Sequence, residues 1–514
     1  MCGFLVVGSS ELELQVFNDA LNQAAYRGPD HQHVSINNGI TWGFNRLSIM
    51  DLSSKGNQPF VYKDCVLVCN GEVYNYHSLK AMLETDYTFK SGSDCEVLIP
   101  LYHKYGIEIL CKFLDAEFAM VIYDAKKDKI LAARDPMGIR PMFYGYHKED
   151  GKICFASEAK GLFPLCQEIM PFPPGHYYED GKFICYNDLS NPKTINNDDL
   201  ETIAINLRLK LEKAVEKRLQ SDAPIGYLLS GGLDSSLVCA IAARLNDQPI
   251  KTFAIGMDTD PIDLKYAKQV ADYLGTDHTE VIMTKEDLLE NLRDVIFHLE
   301  TYDITTIRAS MAMYLLCKYI HEKTDLKVIL TGEVSDELFG YKYTDFAPDP
   351  SQFQKEAQKR IKELYMYDVL RADRCISAHA LEGRVPFADI DFVNYVMSIN
   401  PAKKMNSYNK GKYLLRKAFD GQDYLPQSLL YREKAAFSDA VGHSLVDYLK
   451  AYAEENDVII KYEMIKTNIR KWHDDNEMKY HFFKPFKTDT PLAKHLKNMQ
   501  EIFEIRYSKH KKNK

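Results

Sequence analysis

Residue 2 of the chain is a cysteine, in Met1–Cys2–Gly3–Phe4. Once an initiator methionine is removed, Cys2 carries a thiol and a free α-amine on the same residue. An α-amine has an unperturbed pKa of about 7.7–8.0, near enough to neutrality to act as a local base. A nucleophile paired with its own terminal amine is an established form of covalent catalysis. Taken alone, a cysteine at position 2 is uninformative. Three further segments change its weight: Arg46 ahead of Leu47–Ser48–Ile49, Asn70–Gly71–Glu72 ending an apolar strand, and Ser91–Gly92–Ser93–Asp94 opening a helix. Each puts a polar group just beyond a regular element, where sites are commonly built. Together they suit an amino-acid substrate. Arg46 pairs with an α-carboxylate, and Asp94 accepts from an α-ammonium. The Asn70 side-chain amide and the Gly71 backbone N–H donate to an oxyanion. Read singly, Asn70–Gly71 is a turn dipeptide and Asp94 follows helix-capping residues.

A second constellation is Ser230–Gly231–Gly232–Leu233–Asp234–Ser235–Ser236, between an apolar run and a helical pattern. That context places backbone N–H groups and a helix N-terminus around an anion, and glycines let the chain approach phosphate closely. No Gly-Lys-Ser/Thr follows, so the loop is not built for γ-phosphoryl transfer. Pyrophosphate as a leaving group fits better. Asp234 is then available to magnesium, which takes hard oxygen ligands. Thr331–Gly332–Glu333–Val334–Ser335–Asp336–Glu337 follows a later strand, at the carboxyl end where α/β ligands bind. There Asp336 completes the magnesium site and Glu333 sits over a reacting carbonyl. Downstream, Lys434 is a candidate cation for phosphates, against the plainer reading of a solvated surface lysine.

The elements that position these residues fall into two regimes. Up to about residue 185 the pattern is of short strands with few helices: strands at Gly3 to Gly8, Val66 to Cys69, Phe118 to Tyr123 and Lys129 to Ala133, the last two a hairpin. Helical patterns fit Val16 to Tyr26 and Asp94 to Lys104. Residues 187–200 have the composition of a linker. Beyond them, Ile203, Leu207, Leu211, Val215 and Leu219 recur every four residues, a helix with one buried stripe. Strands at Ile225 to Leu229, Lys251 to Ile255 and Lys327 to Leu330 then alternate with helices at Ser235 to Leu245 and Leu264 to Leu274, which predicts a parallel α/β sheet. From about Asp368 the pattern is helical without clear strands.

The order MCGF, YRGPD (Tyr26 to Asp30), RLSIMD (Arg46 to Asp51), NGEVYN (Asn70 to Asn75), SGSDCE (Ser91 to Glu96) and ARDPMGIRP (Ala133 to Pro141) resembles the glutaminase domain of class II amidotransferases. SGGLDSS resembles the PP-loop of ATP pyrophosphatases, which cleave ATP between the α and β phosphates. With KTFAIGM, ETYDITTIRAS, TGEVSDELFGY, EGRVPFAD and REKAAFSDAVG, the whole resembles the B-type, glutamine-hydrolysing asparagine synthetase family, from residue 2 to about 445. The resemblance implies an α+β N-terminal-nucleophile sandwich (αββα) over 2–186, a linker over 187–200, and an α/β parallel-sheet PP-loop domain with a helical C-terminal part over 201–450. Residues 451–514 are expected to form a mostly helical extension with a basic tail. It implies glutamine held by Arg46, Leu47, Ser48, Ile49, Met50, Asn70, Gly71, Glu72 and Asp94. It implies ATP against Leu229, Ser230, Gly231, Gly232, Asp234, Ser235, Ile255, Thr331, Gly332 and Lys434, magnesium on Asp234 and Asp336, and an acceptor and ammonia site near Thr305, Thr306 and Arg308. The implied substrates are glutamine, aspartate and ATP, and the family often forms homodimers.

Four positions depart from the family pattern. Thr331 stands for a serine, Val334 for a glycine, Tyr341 where a second glycine is common, and Tyr26 for a basic residue. A β-branched residue at 334 is a poor fit if the backbone there has φ > 0. Rival readings are another class II amidotransferase, a β-lactam-forming relative, and a catalytically dead nucleotide-binding protein. The presence of SGGLDSS, the retained Cys2 and the full set Cys2, Asp234, Glu333 and Asp336 argue against each in turn. The bulk properties agree with a soluble cytoplasmic enzyme. The net charge of −9 lacks the basic surface of a general nucleic-acid binder. The 11 scattered cysteines suit a reducing compartment, and no apolar run reaches the ~18 residues of a membrane span.

Overall fold

The computed structural model describes residues 1–9, 12–258, 262–301, 303–340, 344, 347–406 and 410–432, with only the backbone described at 262, 304 and 305. Lys434, Tyr341 and the expected 451–514 extension lie outside them.

Two antiparallel six-stranded sheets come first. One has the order β10-β8-β9-β1-β3-β2, built from β1 (Gly3–Val7), β2 (His31–Asn37), β3 (Ile40–Arg46), β8 (Phe143–His147), β9 (Ile153–Ala156) and β10 (Cys166–Pro171). The other has the order β12-β11-β7-β6-β5-β4, from β4 (Phe60–Tyr62), β5 (Cys65–Val73), β6 (Ala116–Asp124), β7 (Lys129–Arg134), β11 (His176–Glu179) and β12 (Lys182–Cys185). Large side chains from both, among them Phe4, Trp42, Phe44, Val68, Val121 and Phe155, form the layer between the sheets. Helix α1 (Leu14–Asn22) packs Phe17 and Leu21 on the outer face of the first sheet. Helices α2 (Tyr76–Leu83) and α3 (Leu98–Phe113) cover the outer face of the second. This is the αββα sandwich, and β6 and β7 form the expected hairpin.

The second part is a five-stranded parallel sheet, order β15-β14-β13-β16-β17: β13 (Ile225–Leu228), β14 (Lys251–Met257), β15 (Asp277–Met283), β16 (Val328–Leu330) and β17 (Glu382–Arg384). Its helices are α4 (Leu200–Arg218), α5 (Leu233–Leu245), α6 (Ile262–Leu274), α7 (Lys285–Leu299), α8 (Ile304–Lys323), α9 (Ser335–Phe339), α10 (Pro350–Glu363), α11 (Asp368–Ser377) and α12 (Ile390–Ser398). Two apolar cores flank the sheet, one with α4 and α5 and one with α7, α8 and α11. In α4 the four-residue stripe Ile203, Leu207, Leu211 and Val215 is buried, and Asp199 caps its N-terminus by accepting from Glu201 and Thr202 N–H.

Two expectations are corrected. Residues after Asp368 do contribute a strand. β17 pairs parallel with β16, Val328 opposite Glu382 and Leu330 opposite Arg384. Its Glu-Gly-Arg sequence has no apolar periodicity because its charged side chains are neutralised by ion pairs rather than exposed. Asn70–Gly71–Glu72 does not follow a strand but lies within β5, opposite Ala119, Phe118 and Glu117 of β6. Gly71 is required there by packing, since a Cβ would lie 2.5 Å from the Glu117 carbonyl oxygen.

Candidate active sites

Cys2 immediately precedes β1, and its Sγ meets the turn after β3. The Leu47 N–H donates to Sγ at 3.4 Å, and the thiol faces the Leu47 carbonyl at 3.6 Å. Burial pushes the thiol up to about 11, opposed by the adjacent amino terminus. The Met1 amine is itself buried, donates to the Leu381 carbonyl at 3.1 Å, and is pulled down to about 5 by burial. The segment after β3 is wrapped around Arg46, whose two terminal nitrogens donate to the Ser53 carbonyl, Asn57 Oδ1 and the carbonyls of Met50 and Asp51. Arg46 thus holds the 47–57 loop, and a bound carboxylate must share these donors.

Asn70 is buried, and its Nδ2 has no hydrogen-bond partner. A buried donor without an acceptor costs about 1–3 kcal/mol, which a ligand oxygen would relieve. Asp94 begins the 3₁₀ turn Asp94–Val97, and its carboxylate accepts from Val73 N–H at 2.6 Å. Burial raises its pKa to about 6. Glu72 is buried too, raised well above the ordinary range by burial and the nearby Asp94, and ion-paired at 3.1 Å with Arg384 of β17. The first site is therefore walled on one side by the second part of the chain.

Two residues of YRGPD, Arg27 and Asp30, work at the first site although nothing in the string alone singles them out. Arg27 is fully buried, and its Nε donates to the Cys2 carbonyl at 2.9 Å. Asp30 accepts from Ser48 N–H at 2.7 Å, which fixes the strand end beside Leu47. The signal was an arginine followed by Gly28 and Pro29 at a turn, with its side chain reaching the start of β1.

At the second site, Ser230 and Ser235 hydroxyls meet at 2.9 Å and Ser235 Oγ accepts from Ser230 N–H. Gly231 has φ +68, and a Cβ there would lie 2.6 Å from the Ala267 nitrogen. Gly332 lets the acidic loop close on the glycine loop, since its Cβ would lie 2.7 Å from Ser235 N. Leu229 and Ile255 are buried beside the loop, and the Thr331 hydroxyl and Arg308 Nε are buried without partners. Thr306 N–H is capped by Asp303 at the start of α8, which also carries Thr305.

Asp234 and Asp336 converge on one cation that the sequence did not single out. Lys412 Nζ lies 2.7 Å from Asp234 Oδ1, 2.5 Å from Asp336 Oδ1 and 3.1 Å from Ser335 Oγ. It lies far along the chain, in a segment without a motif. Glu333 pairs with Arg371 of α11 at 2.8 Å, and burial raises its carboxyl pKa against that pairing. Burial also raises Glu337, with Asp368 and Asp336 nearby, to about 8.

Val334 adopts φ +78, in the left-handed region, and is buried. The glycine-like loop geometry is kept by a valine. An L-residue there is disfavoured by about 1–2 kcal/mol, which its buried side chain offsets. We expect V334G to be at least as stable as V334A in urea denaturation, reversing the usual order. Ala more stable than Gly by about 1 kcal/mol, the ordinary difference in regular structure, would mean the position is unstrained.

An antiparallel sandwich with a cysteine at the head of its first strand is thus joined to a parallel sheet with facing glycine and acidic loops, giving two candidate sites. Residues 1–173 match the glutamine amidotransferase domain model, and residues 206–349 and 346–458 match that of asparagine synthase. The chain is 41% identical over 513 residues to a probable asparagine synthetase [glutamine-hydrolyzing] of Schizosaccharomyces pombe, covering 92% of this chain and 90% of that one. It is 41% identical over 480 residues to the asparagine synthetase [glutamine-hydrolyzing] of Triphysaria versicolor (89% and 80%), and 40% identical over 481 residues to asparagine synthetase [glutamine-hydrolyzing] 1 of Arabidopsis thaliana (89% and 81%). The chain belongs to the glutamine-hydrolysing asparagine synthetase family.

Proposed function

We propose that this chain makes asparagine from aspartate, ATP and glutamine at two sites, releasing glutamate, AMP and pyrophosphate. The observation that carries the reading is the pairing of Cys2, at the head of β1, with a lysine-free phosphate loop whose aspartate faces a second carboxylate across one cation.

Glutamine binds with its carboxylate at Arg46 and its ammonium at Asp94. The Cys2 thiol passes its proton to its own amine as the sulfur attacks the side-chain amide carbon. After Met1 is removed the base is the Cys2 α-amine, whose unperturbed value of about 7.7–8.0 lies close to neutrality. Asn70 Nδ2 and Gly71 N–H donate to the oxyanion; the C–N bond breaks as the protonated amine returns its proton to the nitrogen, ammonia leaves, and water hydrolyses the thioester to glutamate. Intact mass is expected to show a chain beginning at Cys2; a retained Met1 in an active preparation would refute the amine's role.

At the second site ATP lies on the 230–235 loop between Leu229 and Ile255, and the aspartate β-carboxylate attacks the α-phosphorus. Ammonia then displaces AMP from the acyl carbonyl, with Glu333 positioned to take a proton and Thr305, Thr306 and Arg308 near the acceptor. Positioning and charge neutralisation are the main contributions. No group of three metal-binding side chains occurs among the described residues. The two aspartates fit magnesium, which commonly uses one or two carboxylates plus substrate phosphates. Asp234 and Asp336 would hold it, and when bound it neutralises phosphate charge. ATP turnover is expected to yield AMP and pyrophosphate; ADP and phosphate would sink the adenylation reading.

The pH dependence follows from Asp94. Its carboxyl, raised by burial to about 6, is neutral below that pH and cannot pair with an ammonium. Glutamine kcat/KM should therefore fall as pH drops through about 6, while ammonia-dependent synthesis should lack that limb. An identical limb in both activities would refute the assignment. Cytoplasmic location fits the cysteine usage, and no helix among the described residues is long and apolar enough to cross a membrane. The family resemblance favours a homodimer, and the net charge of −9 argues against a nucleic-acid partner.

A further inference from the structure

We propose that Asp373, on α11 of the parallel-sheet part, is a positioning residue for the glutaminase nucleophile: it holds Arg27, and Arg27 holds the main chain of Cys2. The proposal rests on the reading of Cys2 as that nucleophile.

Arg27 reaches Cys2 from the side. A Cβ at Gly3 would lie 3.3 Å from Arg27 Cδ, so the glycine leaves the space through which the arginine threads. Its Nε donates to the Cys2 carbonyl at 2.9 Å. Its far side is gripped across the boundary between the two sheet systems. Nη1 and Nη2 lie 2.9 and 3.0 Å from the two carboxylate oxygens of Asp373, and Nη1 also donates to Ser377 Oγ at 2.9 Å. Both partners belong to α11.

Glu158 also touches Arg27, at 2.7 Å. That carboxylate is shared with Lys160 at 2.7 Å and Arg374 at 2.5 Å. Asp373 instead gives both oxygens to the one guanidinium. A bidentate fork fixes the plane of an arginine, which a single contact does not. The plane decides whether Nε points at the Cys2 carbonyl. Without Asp373 the guanidinium is free to turn toward Glu158, and the backbone carrying the thiol loses a donor. Small misplacements of a reacting group are costly in rate. The same helix carries Arg371, paired with Glu333, so one ten-residue helix touches both candidate sites. The glutaminase site is thus completed by a residue of the other half of the molecule.

Asp373→Asn in the full-length protein is the test. The amide keeps one acceptor and turns an N–H₂ toward Arg27, while Glu158 still neutralises the charge. Glutamine hydrolysis should lose about tenfold in kcat with its KM within about twofold, as expected when a residue acts on the nucleophile's geometry rather than on substrate binding. Ammonia-dependent synthesis should stay within about twofold, and alkylation of Cys2 by iodoacetamide should slow with kcat. An unchanged glutaminase kcat, a change confined to KM, or an equal fall in both activities overturns the proposal. If D373N does not fold, Ser377→Ala, which removes one neutral acceptor from the same guanidinium, should show the same split at about two- to threefold, and no split overturns it. Cys2→Ala serves as the control. If it retains glutaminase activity, the reading of Cys2 has failed; if it loses that activity while D373N is normal, only the role of Asp373 has.

Discussion

Cys2→Ala is expected to lower glutamine-dependent asparagine formation by on the order of 10³-fold or more, the scale of removing a covalent nucleophile. Asparagine formation from added ammonium salt should stay within about twofold. The separation follows from geometry. Both hydrogen bonds of Sγ go to the Leu47 turn of the sandwich part. The substitution removes one half-buried sulfur, whose contacts with Leu47 are weak, so the fold is preserved. Assays with glutamine and with ammonium chloride on one preparation decide the matter. Loss of both activities would mean the sites do not divide the reaction; retention of both would remove Cys2 from the chemistry.

Lys412→Met should have the opposite signature. Its ammonium is the cation between Asp234 and Asp336, and it is held with φ +58 at the start of the helix Tyr413–Phe419. Removing it takes away the ammonium that both carboxylates share. Asparagine formation should fall by about 10²-fold or more with either nitrogen source, the usual cost of deleting one preorganised electrostatic group. Glutamine hydrolysis should continue. A second readout needs no turnover. Lys412 and a divalent ion compete for the same oxygens, so the variant should bind Mn²⁺ more tightly than wild type in the absence of nucleotide. Unchanged Mn²⁺ affinity would mean that the two aspartates do not form a cation site.

Legibility differed between the two sites. At the glutaminase site the carrying residues sit in short strings near element ends, so Cys2, Arg46, Asn70 and Asp94 could be read in order along the chain. Arg27 escaped because its partners, Cys2 and Asp373, are 25 and 346 residues away. At the synthetase site the glycine and acidic loops were legible because close approach demands glycine at 231 and 332. Lys412 was not, because a lone lysine in a helix-rich segment looks like a solvated one, and only folding carries it 178 residues back to Asp234. Strand β17 escaped for the related reason that Glu382 and Arg384 are buried as an ion pair, which carries no apolar period.

What the sequence determined by itself is what local physics dictates. The alternation of short strands and then of strand and helix specified two architectures, and glycines and caps specified where loops approach ligands. The doubt over Val334 was also local, and the observed φ of +78 answers it with a strained residue. Tertiary structure alone decided how charges are shared. It sent Glu72 to Arg384, Asp373 to Arg27, and both Asp234 and Asp336 to Lys412. Buried charges must find partners wherever folding brings them, and those partners lie at sequence separations no periodicity or motif encodes.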